Sequence, residues 1–149
     1  MEIAELIKLD QVVIGLDIAE KSALLSELAK RASRATDVPT ESILKALTAR
    51  EALGSTGIGQ GIAIPHVCIE GLKGPFGFFA RLEHPIDFES IDGAPVDLVF
   101  LLLTSAAARN QNVATLATIS RRLRDRSVLQ GLRTGESVQE ISKLLAGIR

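Results

Sequence analysis

The chain has 149 residues, 46% of them hydrophobic, with 17 basic and 18 acidic side chains and a formal charge of −1. That content closes one sizeable core, so a single domain over residues 1–149 is expected, while the even charge excludes the conspicuous basic face of a nucleic-acid or membrane-surface binder. Cys68 is the only cysteine and there are two histidines, which excludes an internal disulfide and a thiolate zinc cluster and leaves no metal or cofactor to expect. The longest apolar run, around Val99–Leu103, falls far short of the roughly 20 residues that span a bilayer, and no basic region leads into an apolar signal segment. A cytoplasmic protein without membrane insertion is therefore expected.

In chain order, Leu9, Val12, Val13, Ile14 and Leu16 supply an early strand or the approach to one. Asp17 followed by Glu20 has the pattern of a helix N-cap with its reciprocal carboxylate, and Leu24, Leu25, Leu28, Ala29 and Ala32 recur at helical spacing. They predict a helix over about residues 18–35. Val38-Pro39-Thr40 is a break, after which Thr40 caps a second helix that buries Ile43, Leu44 and Leu47 and delivers Arg50 and Glu51 to a glycine-rich loop.

That loop, Leu53 to Gly61, runs into Ile62-Ala63-Ile64, a short apolar strand that Pro65 ends because it has no N–H to donate, placing His66 at the strand's end. Gly54, Gly57, Gly59 and Gly61 allow close backbone approach, and such a loop can aim N–H groups at an anion. It is not a nucleotide fingerprint, since Ile62 occupies the third glycine's place in G-x-G-x-x-G and no Gly-Lys-Ser/Thr follows. Histidine suits proton transfer, metal ligation and nucleophilic attack alike, and a glycine loop before it shifts the balance toward phosphate chemistry. Candidate donors to a phosphate are the loop N–H groups, the Ser55 and Thr56 hydroxyls and Arg50, whose alternative roles are turn stabilisation and a helix-end cation.

Beyond His66, Phe76–Leu82 reads as a strand turned by Glu83-His84-Pro85, with Ile86–Phe88 a short edge and His84 an exposed structural residue. Asp92-Gly93 is a turn into Val96–Leu103, an almost unbroken apolar run that reads as a central strand buried on both faces. From Asn112, the spacing of Val113, Leu116, Ile119 and Leu123 is helical, with Arg121, Arg122 and Arg124 on the solvated side. Residues 125–133 and 137–148 give two final helices separated by Gly135, the second capped by Ser137 with Glu140 three residues on. Helices, strands, then helices imply an α/β fold with a mixed sheet covered by helices. Cys68 is expected as a buried small hydrophobe.

The segment Arg50 to His66 resembles the phosphorylation-site segment of fructose/mannitol-type enzyme IIA of the bacterial phosphoenolpyruvate:sugar phosphotransferase system, most of all its nitrogen-related branch. The resemblance continues through Phe79–Phe88 and Ile91–Phe100 and covers nearly the whole chain. It implies a three-layer α/β/α sandwich, and a phosphocarrier component rather than a stand-alone enzyme. His66 would be the phosphoryl acceptor, as a tele-phosphohistidine, with Arg50 at the motif arginine. The phosphate donor would be an HPr-like phosphocarrier and the regulated targets proteins such as kinases or potassium transporters, with a homodimer compatible with the same reading. Two departures stand out. Asn112 occupies the place of the family's second histidine, where an amide can donate a hydrogen bond but carries no charge, and Val67-Cys68 replaces the glycine and basic residue that usually follow the acceptor. The alternatives are a sugar-specific IIA passing phosphate to a IIB domain, against which Asn112 argues, and a IIA-like binding module deficient in phosphorylation. A Ser55–His66 hydrolase lacks the G-x-S-x-G elbow and an orienting carboxylate.

Overall fold

The computed structural model describes residues 2–147. In chain order it contains α1 (Ile3–Leu6), a 3-10 turn (Leu9–Gln11), β1 (Val12–Leu16), α2 (Lys21–Thr36), α3 (Thr40–Ala52), β2 (Gly57–Gly59), β3 (Ile62–Ala63), β4 (His66–Ile69), β5 (Phe76–Ile86), β6 (Val96–Ser105), α4 (Arg109–Arg122), α5 (Arg126–Thr134) and α6 (Val138–Ala146). The sheet runs β1-β5-β6-β3-β2, and β4 also pairs with β6. It is mixed: β1 is parallel to β5, β5 antiparallel to β6, β3 and β4 parallel to β6, and β2 antiparallel to β3.

The apolar run of β6 makes it the axis of the sheet, because alternate side chains point to opposite faces. Val99, Leu101 and Leu103 pack with Leu24, Leu28, Ile43 and Leu47 of α2 and α3. Leu98, Phe100 and Leu102 pack on the other face with Ile119, Leu129, Leu132, Ile141 and Leu145. Two helices therefore cover one face and the remaining described helices the other, the three-layer α/β/α arrangement that the family resemblance implies.

Several local expectations change once packing is in place. Asp17 does not cap α2: the helix begins at Lys21, Glu20 is the N-cap without a side-chain bond, and Ile18 instead packs on the α2/α3 core. Thr40 is already inside α3; the N-cap is Pro39, whose carbonyl accepts the first intrahelical bonds, from Ser42 N and Ile43 N at 3.1 and 3.3 Å. Glu83-His84-Pro85 is not a turn but part of β5, where the register slips between Arg81↔Leu98 and Ile86↔Val96. A bulge there tolerates a proline that has no N–H for the ladder, and His84 is exposed. Arg122 leaves the solvated group, since its guanidinium donates to Leu144 O at 2.8 and 2.6 Å and ties α4 to α6. The final two helices are capped as expected at Ser137 and, additionally, at Asp125, but the predicted end at Ile148 lies outside the described residues. No described helix is long and apolar enough to cross a membrane.

Candidate functional site

Pro65 interrupts the strand without ending it. Its carbonyl accepts from Leu102 N at 2.9 Å, and pairing with β6 resumes at His66↔Leu102, so the histidine opens β4 rather than closing β3. The ring nitrogen Nδ1 lies 2.6 Å from Ile64 O. A carbonyl can only accept, so the neutral ring carries its proton on Nδ1 and keeps the lone pair on Nε2. Among the described residues Nε2 has no protein hydrogen-bond partner.

His66 lines a groove of about 570 Å³ between the end of α3 and the start of α4, floored by β4 and β6. Arg50 and Asn112 line it too, together with Ala46, Ala49, Val67, Cys68 and Leu116. The structure thus brings together three of the five residues singled out from sequence. Arg50 reaches across the end of its helix to donate to Gly54 O at 2.9 Å, an exposed bond that a stronger anion could displace. The Asn112 amide donates to Ser105 O at 3.0 Å and lies 3.6 Å from Cys68 Sγ, so its hydrogens already have acceptors on the protein.

Ser55 and Thr56 lie elsewhere. Ser55 Oγ donates to Phe88 O at 2.8 Å and accepts from Gly57 N at 3.0 Å. Thr56 is buried, with its hydroxyl donating to Glu51 Oε2 and its N–H to Glu51 Oε1 at 3.0 Å. Two further N–H groups of the loop are likewise spent: Gly54 N donates to Glu51 O and Gln60 N to Asp92 Oδ2, each at 3.1 Å. The Gln60 bond and a second from Ala94 N, the larger influence, hold the Asp92 carboxyl below the ordinary carboxylate range. What reads as an anion nest is therefore a loop stitched to the segment 88–94, because Glu51 of α3 and, from the β5–β6 connection, the Phe88 carbonyl and the Asp92 carboxylate meet its donors first.

Cys68 corrects the expectation of burial: it is an exposed thiol two residues along β4 from His66, 3.5 Å from Thr104 Oγ1. Val113, expected on the buried stripe of its helix, is 70% exposed and lines the groove, as does Leu53 at 85%. Sequence reasoning also missed Lys21 and Glu51, which pair at 3.0 Å with little exposure. Helical spacing marks Val113 as apolar without saying that it faces the open groove, and only the Arg50-Glu51 adjacency pointed toward the Lys21–Glu51 pair.

An open groove with an imidazole nitrogen and an arginine lining it, on a mixed-sheet α/β/α frame, has the chemistry to receive an anion or a phosphoryl group. The comparisons fix the family. The chain belongs to the family described as the phosphoenolpyruvate-dependent sugar phosphotransferase system, EIIA 2, whose profile matches residues 5–147. It is 42% identical over 146 residues to a nitrogen regulatory protein of Bradyrhizobium diazoefficiens, covering 98% of this chain and 95% of that one. The crystal structure of the nitrogen regulatory protein IIA-Ntr from Neisseria meningitidis superposes with a TM-score of 0.92 at 33% identity, covering 96% of this chain and 98% of that one. IIA mannitol from Escherichia coli shares the fold, with a TM-score of 0.79 at 22% identity over 94% of this chain and 99% of its own.

Proposed function

We propose that the chain is a cytoplasmic phosphocarrier of the nitrogen-regulatory type, taking a phosphoryl group on His66 from an HPr-like carrier and binding different regulatory targets, such as kinases or potassium transporters, according to its phosphorylation state. The observation that carries this reading is the Nδ1 contact to Ile64 O, which leaves Nε2 with its lone pair in a ring that lines the groove. In the transfer, the Nε2–P bond forms as the donor's N–P bond breaks, and the donor nitrogen keeps the electron pair. Nδ1 retains its proton, and the Ile64 carbonyl stabilises the positive charge that the ring gains as Nε2 bonds to phosphorus. Arg50 supplies charge to the phosphate oxygens by exchanging its bond to Gly54 O for them. The names borne by the relatives in sequence and structure support the regulatory branch.

The test is incubation with phosphoenolpyruvate, enzyme I and the carrier, followed by intact mass. One phosphate should be added, lost in acid, absent in His66→Ala and retained in His84→Ala. Label on Ser55 or Thr56 would overturn the assignment. A second reading, a binding module that does not turn over phosphate, is favoured by one observation: the Asn112 amide is already engaged by Ser105 O, so of the groove residues singled out from sequence only Arg50 remains to donate to a phosphate. Failure of the parent protein to take up label, with the relevant carrier present, would select it.

A further inference from the structure

We propose that Glu51 is the positioning residue for His66, setting the imidazole's tautomer and orientation through the peptide units of Thr56 and Ile64. The consequence for transfer rests on the phosphocarrier reading, whereas the consequence for the ring does not.

Glu51 sits in the last turn of α3, where a carboxylate meets the negative end of the helix dipole, and its side chain is only 5% exposed. Both features disfavour it, and burial without full pairing would be costly. It is fully engaged. Lys21 Nζ lies 3.0 Å from Oε1, Thr56 N donates to Oε1 at 3.0 Å, and the Thr56 hydroxyl donates to Oε2. Lys21 is itself held over the Phe88 ring, 4.5 Å from its centroid. One buried carboxylate therefore fixes both the N–H and the side chain of Thr56.

From Thr56 the connection runs directly to the acceptor. Thr56 O accepts from Ile64 N at 3.0 Å, and Ile64 O accepts from His66 Nδ1 at 2.6 Å. The direction of every bond is set by chemistry, since amide nitrogens donate and carbonyl oxygens accept. If Thr56 moved, Ile64 O would turn and the ring would lose the partner that keeps its proton on Nδ1. The neighbouring residue, Arg50, lines the same groove, with its guanidinium on Gly54 O, two residues before Thr56.

Nitrogen-15 spectra of the imidazole in the unphosphorylated full chain read the tautomer, with His84→Gln assigning the two rings, and transfer from the carrier reads the rate. Glu51→Ala is expected to reduce the Nδ1–H share at His66 and slow transfer about tenfold, the scale of a small misplacement of a reacting group. Glu51→Gln, which keeps an oxygen for Thr56 N–H, should recover most of both. Leu145→Ala, in the core on the opposite face of the sheet, should lower stability and leave the His66 signals unchanged. An unaltered His66 tautomer in folded Glu51→Ala overturns the proposal. Should that variant not fold, Thr56→Val carries the same readout with a smaller shift, and an unshifted ring there overturns it equally. A tautomer shift in a protein whose parent takes up no phosphate would remove the phosphocarrier reading and leave the role of Glu51 standing.

Discussion

The hairpin of residues 55–61 and the groove around His66 are neighbours in sequence and opposites in bonding. In the hairpin, Ser55, Thr56, Gly57 and Gln60 all have protein partners, and Arg133 closes the far side through bonds to Asp97 at 2.9 Å and to Gln60 O at 2.5 Å. In the groove, His66 Nε2 has none among the described residues, Arg50 is held by one exposed bond, and Leu53 and Val113 stand uncovered. The difference teaches that the glycine-rich stretch is scaffold, and that groups left for a ligand lie where internal bonding stops. Satisfied donors rigidify, while unsatisfied ones at a rim are available to a ligand or partner.

The largest effect should come from breaking the groove side. Arg50→Ala is expected to slow phosphoryl transfer by about ten- to a hundredfold, the worth of a hydrogen bond to a charged group at about 1.5–3 kcal/mol. Arg121→Ala should change it little. Matched initial rates at one salt concentration check this, and equal rates would make Arg50 a helix-end cation only.

On the hairpin side the expected loss is stability rather than rate. Gly61 has φ +81°, and a Cβ there would lie 2.5 Å from Arg133 Nη2 and 2.7 Å from Asp97 Oδ1. Gly61→Ala should therefore cost about 1–3 kcal/mol in urea unfolding, from the left-handed backbone and the displaced ion pair. Its folded fraction should still accept phosphate at the parent's rate; a rate loss matching that of Arg50→Ala would erase the distinction between the two regions.

Asn112→His sharpens the groove. If His66 is phosphorylated, an imidazolium in place of the neutral amide should favour the phosphorylated state by up to about tenfold. The gain in rate or phosphohistidine lifetime should be greater near pH 6 than near pH 8, because only the protonated ring is charged. Timed transfer assays at both values decide it, and a variant equal to its parent at each would place residue 112 away from the phosphate.

Acid should act most weakly, and on the scaffold. Asp92 is held low by the Ala94 and Gln60 N–H groups, and Asp125 by those of Val128 and Ser127. The folded state then binds fewer protons than the unfolded one, so the contribution is present above the ordinary carboxylate pKa and is lost as pH falls through the depressed value. Urea midpoints should drop between about pH 5 and about pH 3, and Asp92→Ala should remove part of that slope.

The sequence by itself determined the nearly unbroken apolar run that makes β6 the axis, the run of helices on either side, the cap at Ser137 and the pairing of a glycine loop with His66. Each is a local signal, written in spacing or in residue type within a few positions. Tertiary structure decided what the local signals could not. Whether Thr40 caps depends on where Pro39 places its carbonyl, and whether Pro65 ends a strand depends on Leu102 standing ready to donate to it. Ser55, Thr56 and the loop amides carry the composition of an anion site, but Phe88, Glu51 and Asp92 reach them first, from positions distant in sequence or on another element. Cys68 and Val113 have the residue types of a core and are exposed because, among the described residues, no element is packed over the groove. A donor's availability is a competition among all acceptors within reach, and reach is set by the fold.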